Sequence, residues 1–347
     1  MPKSSATADE PADCAFPSHR ASLCVIVPVR NEARRLAGTL DQLVAQEVDD
    51  ADVEILVVDG RSTDATRDIA QRYAERYPRI RVLDNPKRLS SGARNVGVRA
   101  TDSDYVVVID GHCEIRNRRY LQDVVDIFER SGADCLGRPQ PLDVTGATAL
   151  QRAIALARES RLGHHPDSFI YSREEVDCPA ISVAVAYRRS VFERVGEFDE
   201  RFDACEDCEF NHRVDLAGLR CRLAPSLAVH YHPRGSLGGL FRQLTRYGQG
   251  RMRLFRKHPS AWSWPALVPA AFLAGVLGGP LVGAAFPILW PLYWGVLALY
   301  AAAVLTESLR LAVQSRDLSA LPWLPSVFAT IHAGSGWGLL REAVGNS

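Results

Sequence analysis

Up to Gly132 the chain alternates short apolar runs with amphipathic stretches. Residues 23–29, LCVIVPV, form an unbroken apolar run of strand length, and NEARRLAGTLDQLVAQ after it repeats its apolar positions with helical spacing. VEILVVD at 53–59 reads as a second strand. STDATRDIAQRYAERY then opens on Ser62, Thr63 and Asp64, residue types that cap free N–H groups, and continues as a helix. IRVLD at 80–84 is a third strand, followed by a helix around SSGARNVGVRA. DYVVVIDG at 104–111 is a fourth, and RYLQDVVDIFERSG is an amphipathic helix with a glycine stop. Such strand–helix repetition predicts an α/β domain: a Rossmann-like, mostly parallel sheet with helices on both faces. In sheets of this kind ligands sit at the carboxyl ends of the strands, where Asp59 and Asp110 fall. Past residue 140 the pattern loosens into a helix near 147–160, the loop GHHPDSF, a strand at 181–188 and a helix from about residue 206. There is no internal repeat.

The C-terminal part follows another rule. Residues 259–306 contain no charged side chain. A helix needs about 20 residues to cross a bilayer, so two crossings fit, at Trp264–Ala285 and Pro287–Thr306. Five prolines between positions 265 and 291 would be costly in an isolated water-soluble helix but are tolerated in membrane helices or at their ends. Trp262, Trp264, Trp290, Tyr293 and Trp294 suit the membrane interface. A third apolar run, Leu318 to Leu340, also fits a re-entrant or surface-lying segment. A buried helical hairpin in a soluble protein is the other reading of the uncharged stretch. The expected division is a mobile tail over 1–20, a domain over 21–258 and a membrane-associated region over 259–347. Arg251, Arg253, Arg256 and Lys257 precede the first span, which by the positive-inside rule keeps the preceding domain on the cytoplasmic side of the cell membrane.

Composition narrows the picture. With 41 basic and 41 acidic residues there is no bulk charge to attract nucleic acid. The eight cysteines are scattered, some inside apparent strands, and residues 1–20 are polar without a secretory core, so the thiols are expected to be reduced.

No G-x-G-x-x-G follows the first strand. Gly92 and Gly97 have P-loop spacing, but Val98 and Arg99 stand where Lys and Ser or Thr are required. The remaining candidates are mostly acidic. In an extended VIDGH, Asp110 and His112 point the same way, so a carboxylate and an imidazole can share one divalent cation, the nitrogen moving the preference from Mg2+ towards Mn2+. Asp59 can accept a hydrogen bond from a base or ribose, and Arg94 near a helix start can offset phosphate charge. Alone, each is more often structural than functional, Asp110 for instance as a strand-end carboxylate capping a turn beside a solvent-facing histidine. DACEDCEFNH at 203–212 is ambiguous too. Cys205, Cys208 and His212 suggest a zinc or redox site, whereas Glu206, Asp207 and Glu209 suggest acid–base chemistry. No second C-x-x-C completes a zinc site, and none of the surroundings of a redox dithiol is present. His164, His165, His230 and His232 match no common metal spacing.

Taken together, VIVPVRNEARRL, VVDGRSTDAT, GARNVG, IDGH, VFERVGEFDE, CEDCEFNHRV and QLTRYG resemble the family 2 glycosyltransferases over roughly residues 22–250, closest to the succinoglycan-type membrane glucosyltransferases. The resemblance implies the GT-A fold and nucleotide contacts from Pro28, Arg30, Glu32 and Asp59, with Arg94 near the base or diphosphate. Asp110 and His112 would form the metal and diphosphate site, here D-x-H in place of the commoner D-x-D, and Gly60 stands where many relatives have a second Asp. CEDCE falls at the family's Glu-Asp motif, which makes Asp207 the expected base and Glu206 a residue that positions the acceptor or the base. QLTRYG is similar to the Q-x-x-R-W element, with Gln243, Arg246 and Tyr247 near diphosphate and acceptor. A basic amphipathic helix on the membrane is the plainer reading of that segment.

The expected activity is inverting, metal-dependent transfer of a hexose, glucose foremost, from a UDP-sugar to a lipid-linked saccharide in exopolysaccharide or envelope glycan synthesis. Transfer to a bare polyprenyl phosphate is the nearest alternative. A nucleotidyltransferase or a non-catalytic membrane scaffold are alternatives of other classes.

Overall fold

The computed structural model describes residues 20–165 and 168–345. The expected tail, apart from Arg20, lies outside the described residues. Nine residues, Ala21–Val29, form β1, and their alternation builds two cores at once. Leu23, Val25, Val27 and Val29 face one side and Cys24 and Ile26 the other, all buried, so the strand is apolar from Leu23 onward, as a sheet covered on both faces requires. Elements then alternate: α1 (Leu36–Val44), β2 (Ala51–Asp59), α2 (Thr66–Arg76), β3 (Ile80–Asp84), α3 (Ser90–Arg99), β4 (Tyr105–Val108) and α4 (Tyr120–Ser131). Helix α4 ends where Gly132 turns left-handed at φ 62°. Helix α3 approaches β1 through Gly97, where a Cβ would lie 2.7 Å from Ile26. Helix α2 starts just after Asp64, whose carboxylate accepts from the Thr66 amide at 3.0 Å. The N-cap position itself is Ala65, without a side-chain cap, so none of the three candidates occupies it and Asp64 acts from one residue earlier.

The second half contributes β5 (Cys135–Gly137), α5 (Ala149–Glu159), β6 (Val176–Asp177), α6 (Ala180–Val183), β7 (Ala184–Arg188), α7 (Arg189–Val195), α8 (Glu206–Leu216) and β8 (Cys221–Leu223). Helix α5 begins with a capping box between Thr148 and Gln151. The strand expected at 181–188 begins only at Ala184. Its first residues turn as α6 because Asp215 of α8 accepts from the amides of Ala180 (2.7 Å) and Ile181 (3.0 Å), an anion at a helix start that apolar patterning cannot reveal.

The strands form one sheet in the order β3-β2-β1-β4-β7-β5-β8-β6. β3, β2, β1 and β4 are parallel neighbours. β7 runs antiparallel to β4 and β5, and β6 antiparallel to β8. The fold is the expected mostly parallel α/β sheet with helices on both faces.

Four long helices follow: α9 (Leu237–Lys257), α10 (Trp264–Ala285), α11 (Trp290–Gln314) and α12 (Leu324–Val344). Trp264–Ala285 and Pro287–Gln314 are long and apolar enough to cross a membrane, the second continuing past the expected Thr306. Their outer faces are apolar, with Trp264, Leu281, Ile288 and Leu299 largely exposed. The third apolar run becomes α12, which lies along α9. Glycines allow this contact, since a Cβ on Gly248 would meet the Ser335 carbonyl at 2.5 Å and one on Gly338 the Thr245 carbonyl at 2.1 Å. Arg253 of α9 also reaches Glu342 of α12 at 2.9 Å.

Candidate active site

The chain leaves the sheet beyond β4. The Ile109 amide still donates to the Ile26 carbonyl (3.0 Å), and the Cys113 amide then turns back to the carbonyl of Asp110 (3.4 Å). Residues 110–113 thus form a turn, contrary to the expected extended segment. The turn is possible because Gly111 has no side chain: a Cβ there would lie 2.6 Å from Cγ1 of Val29. Asp110 and His112 still act on each other, now through the turn rather than through strand alternation.

Oδ2 of Asp110 accepts from the Tyr231 hydroxyl at 2.6 Å. That hydroxyl in turn accepts from Arg138 at 3.3 Å. Arg138, almost fully buried, also donates to the Val108 carbonyl (3.1 Å) and to Tyr120 (3.0 Å). Burial pushes the Asp110 carboxyl upward, but the charges of His112 and Arg94, the Tyr231 hydrogen bond and the Arg138 charge outweigh it. The pKa therefore falls below the usual carboxylate value and Asp110 is ionised at neutral pH.

Nδ1 of His112 lies 3.1 Å from Oε1 of Glu32. This contact is the main reason the imidazole pKa is raised, burial opposing it and the Asp110 charge adding to it. Among the described residues, Oδ1 of Asp110 and Nε2 of His112 make no hydrogen bond. One free carboxylate oxygen and one free imidazole nitrogen on a single turn fit a divalent cation that completes its shell with phosphate and water. Glu32, expected at the nucleotide, is held on this imidazole. Arg234 is near enough for its charge to oppose protonation of His112.

The remaining nucleotide candidates sit at the ends of β1 and β2. Pro28 lies inside β1, and exposed Arg30 donates to the Arg88 carbonyl at 3.4 Å. Gly60 is pressed on Arg30, its position for a Cβ only 3.3 Å from the arginine Cβ. Asp59 is 1% exposed and turned inward. It accepts from the Ser62 hydroxyl (2.6 Å) and from Arg67 (3.3 Å).

Helix α8 carries the second half of the site. Cys205 before it is left-handed at φ 59°, a strained position for a side chain other than glycine, asparagine or aspartate. Glu206 is 7% exposed and lies 3.3 Å from the Arg94 guanidinium. Burial raises its pKa; Arg94 opposes that and the Asp207 charge adds to it. Burial would lower the Arg94 pKa, but the charges of Glu206, Asp207 and Asp110 raise it. Arg94 thus touches the start of α8 at Glu206 and also feels the charge of Asp110 on the β4 turn. Its Nε is buried without a hydrogen-bond partner among the described residues. Asp207 is half-buried, one oxygen accepting from the Cys208 amide at 2.8 Å.

Glu209 is different. It is fully buried and gripped by Arg213 (2.9 Å), Lys257 (2.6 Å) and His258 (2.9 Å), which bolt α8 to α9. Cys205 and Cys208 are free thiols, and His212 turns away to Ser260 at 3.0 Å. In this stretch His212 thus stands apart from Cys205 and Cys208, while Glu206 and Asp207 open α8.

On α9, Gln243 donates to the Tyr247 hydroxyl (3.1 Å) and accepts from Arg234 (3.2 Å). Arg246 donates to the Asp203 carbonyl at 2.8 Å, and Sγ of Cys205 lies 3.5 Å from the Tyr247 carbonyl. Gly250 brings α9 against the start of α8, where a Cβ would meet the Ala204 carbonyl at 2.5 Å. A polar chain thus runs from Arg234 beside His112 to Tyr247 beside Cys205.

The four histidines do not gather. His164 stacks edge-on with Tyr171 and His165 bonds Ser263, whereas His232 lies 3.9 Å from Asp143. Glu114, Asp143 and His232 do place ligand atoms within 4.8 Å of one another, but Arg116 already sits on Asp143 at 2.8 Å. Sequence reasoning missed Arg138, Tyr231 and Arg234. Arg138 had a faint signal, a cation directly after the short apolar run CLG.

Residues 24–196 match glycosyl transferase family 2, and residues 118–304 match glycosyl transferase family group 2. The succinoglycan biosynthesis protein ExoA of Rhizobium meliloti is 32% identical over 72% of this chain and 75% of its own. A dolichyl N-acetyl-alpha-D-glucosaminyl phosphate diacetamido-dideoxy-glucuronosyltransferase of Methanococcus voltae is 22% identical over 94% of this chain and 98% of its own. Among solved structures, a mannosyltransferase of Pyrobaculum calidifontis in complex with GDP-Man and Mn2+ superposes with a TM-score of 0.60 at 19% identity, covering 94% of this chain and 88% of that one. With these matches and a GT-A sheet, this chain belongs to glycosyl transferase family 2.

Proposed function

We propose that the protein is an inverting hexosyltransferase of the cytoplasmic face of a cell membrane, moving a sugar, glucose foremost, from UDP to a lipid-linked saccharide. The observation that carries this reading is Arg94, which lies 3.3 Å from Glu206 and on which the charges of Asp207 and Asp110 also act, so that donor and acceptor groups are read as sharing one cleft. In this reading Pro28, Arg30 and the end of β2 border the nucleoside, and Asp110 and His112 hold the cation. When bound there, Mn2+ or Mg2+ would supply positive charge against the diphosphate.

Asp207 takes the proton of the acceptor hydroxyl. The oxygen attacks the anomeric carbon from the face opposite the diphosphate, the bond from that carbon to the phosphate oxygen breaks, and its electron pair leaves with the nucleoside diphosphate. A half-buried carboxylate suffices because the hydroxyl becomes acidic only as the new bond forms. Glu206, held by Arg94, keeps the start of α8 in place. Arg234, Arg246, Gln243 and Tyr247 line the side of the cleft nearest α9, the two arginines offering charge to the leaving group.

The lipid acceptor is supported by the two apolar helices and by the relatives, one named for succinoglycan and the other for a dolichyl-linked sugar phosphate. Incubating the full chain with a panel of nucleotide sugars, Mn2+ or Mg2+, and either lipid-linked saccharide or bare polyprenyl phosphate tests the reading. Expected is nucleotide release with a UDP-hexose that requires the saccharide and is lost in Asp207→Asn. Equal turnover on bare polyprenyl phosphate, or an active Asp207→Asn, overturns it.

A further inference from the structure

We infer that Glu32 is a positioning residue: it orients the His112 imidazole so that Nε2 presents its lone pair to the divalent cation. The inference rests on the proposed role of Asp110 and His112 but assigns Glu32 a task other than the nucleotide contact expected from its motif.

Three observations carry it. Nδ1 of His112 is 3.1 Å from Oε1 of Glu32, so a neutral imidazole donates its Nδ1 proton to that carboxylate and keeps Nε2 unprotonated. The backbone of Glu32 is fixed on three sides, its amide donating to Oγ1 of Thr66 at 2.7 Å and its carbonyl accepting from the Arg35 and Leu36 amides at 2.9 Å each. The ring is confined on its other side as well, meeting Tyr231 edge-to-face at 5.8 Å between centroids. The same Tyr231 holds Asp110. Two supports, Glu32 from the loop after β1 and Tyr231 from the segment after β8, thus set the imidazole and the carboxylate towards a common point. A carboxylate on the second nitrogen of a metal-binding histidine fixes its tautomer and raises its basicity, and removing such a partner costs about 10- to 100-fold in metal affinity.

A role in the nucleotide site predicts another outcome, because a ribose contact is lost whether or not metal is present. The test uses the full-length protein in detergent and reads Mn2+ binding by electron paramagnetic resonance, nitrogen coupling to the bound ion by electron spin echo modulation, and UDP binding in EDTA by calorimetry. The variants are Glu32→Ala, Glu32→Gln and His112→Ala. Expected are nitrogen coupling in the parent, its loss in His112→Ala, and Mn2+ binding weakened about 10- to 100-fold in Glu32→Ala and less in Glu32→Gln, which retains an acceptor. UDP binding in EDTA should be unchanged in both Glu32 variants. The backbone bonds of Glu32 persist in each, and matching thermal unfolding checks the fold. Parent-like Mn2+ affinity in Glu32→Ala, or a loss of UDP binding in EDTA, overturns the inference. Absence of nitrogen coupling in the parent instead defeats the assignment of His112 as a ligand, and the inference with it.

Discussion

At the Asp110 end of the cleft the reactive groups hang from a turn directly after a buried strand, and their supports are side chains that follow sheet strands: buried Arg138, next after β5, on the Val108 carbonyl, and Tyr231, after β8, on Asp110. At the Asp207 end they stand on the first turn of a helix, and the supports come from elsewhere in the chain. Arg94 reaches in from α3, Lys257 and His258 from the end of α9, and α9 itself is braced by α12. The first end therefore inherits the stability of the central sheet. The second depends on how a helix that leads towards the apolar hairpin is seated. Chemistry at the second end should respond to perturbations of the apolar helices to which the first end is indifferent.

The largest effect separates the two ends directly. Asp207→Asn should lower kcat by about 10²- to 10⁴-fold, the usual weight of a general base, with Mn2+ affinity unchanged. Asp110→Asn should abolish Mn2+ binding measured by electron paramagnetic resonance. If both substitutions affect Mn2+ equally, the division into two ends fails.

Glu209→Gln tests the anchor. The buried carboxylate has its pKa raised by burial and, more strongly, lowered by Arg213, Lys257 and His258, so the net shift is downward. A depressed carboxylate contributes stability above its unfolded pKa and loses it as pH falls through the folded value. The variant should be less stable than the parent by about 3 kcal/mol at neutral pH, and the difference should shrink on acidification. Thermal unfolding from neutral to acidic pH checks this, and a difference independent of pH contradicts it.

A smaller effect is expected of Gly250→Ala. The added methyl would collide with the Ala204 carbonyl and shift α8 against α9 at a cost of about 1–3 kcal/mol. It should reduce kcat while leaving Mn2+ affinity alone. Gly97→Ala, which presses α3 on β1, should instead destabilise the sheet without that selectivity. The smallest effect is that of Gln243→Ala, which removes one neutral link worth about 1 kcal/mol, and steady-state kinetics should show a loss of only several-fold.

How far each end could be read in advance follows from the same difference. The strands of the first end announce themselves as LCVIVPV, VEILVVD and YVVV, and Asp110 and Asp59 stand where such runs stop. Even so, the extended geometry expected for Asp110 and His112 proved to be a turn, because the space that Gly111 must share with Val29 exists only once β1 and β4 are paired. At the second end CEDCE could be located but not sorted. Glu206, Asp207 and Glu209 are alike in type, and only their partners distinguish one tied to Arg94, one left half-exposed and one locked by Lys257 and His258. Arg234 was illegible because nothing near it in sequence says that its neighbour will be Gln243 or His112.

Apolar periodicity and an uncharged stretch long enough for two crossings were sufficient to establish the α/β sheet and the two long apolar helices, since these depend on local backbone preference and on burial along one segment, and the family was legible as a resemblance carried by motifs such as VIVPVRNEARRL and CEDCEFNHRV. Which carboxylate is ionised and free, which arginine joins the two ends, and where Glu32 points were decided by the folded chain alone. Those properties arise from charges and hydrogen bonds between residues as distant as 94 and 206 or 32 and 112, and such pairs exist only after the sheet has brought them within a few ångströms.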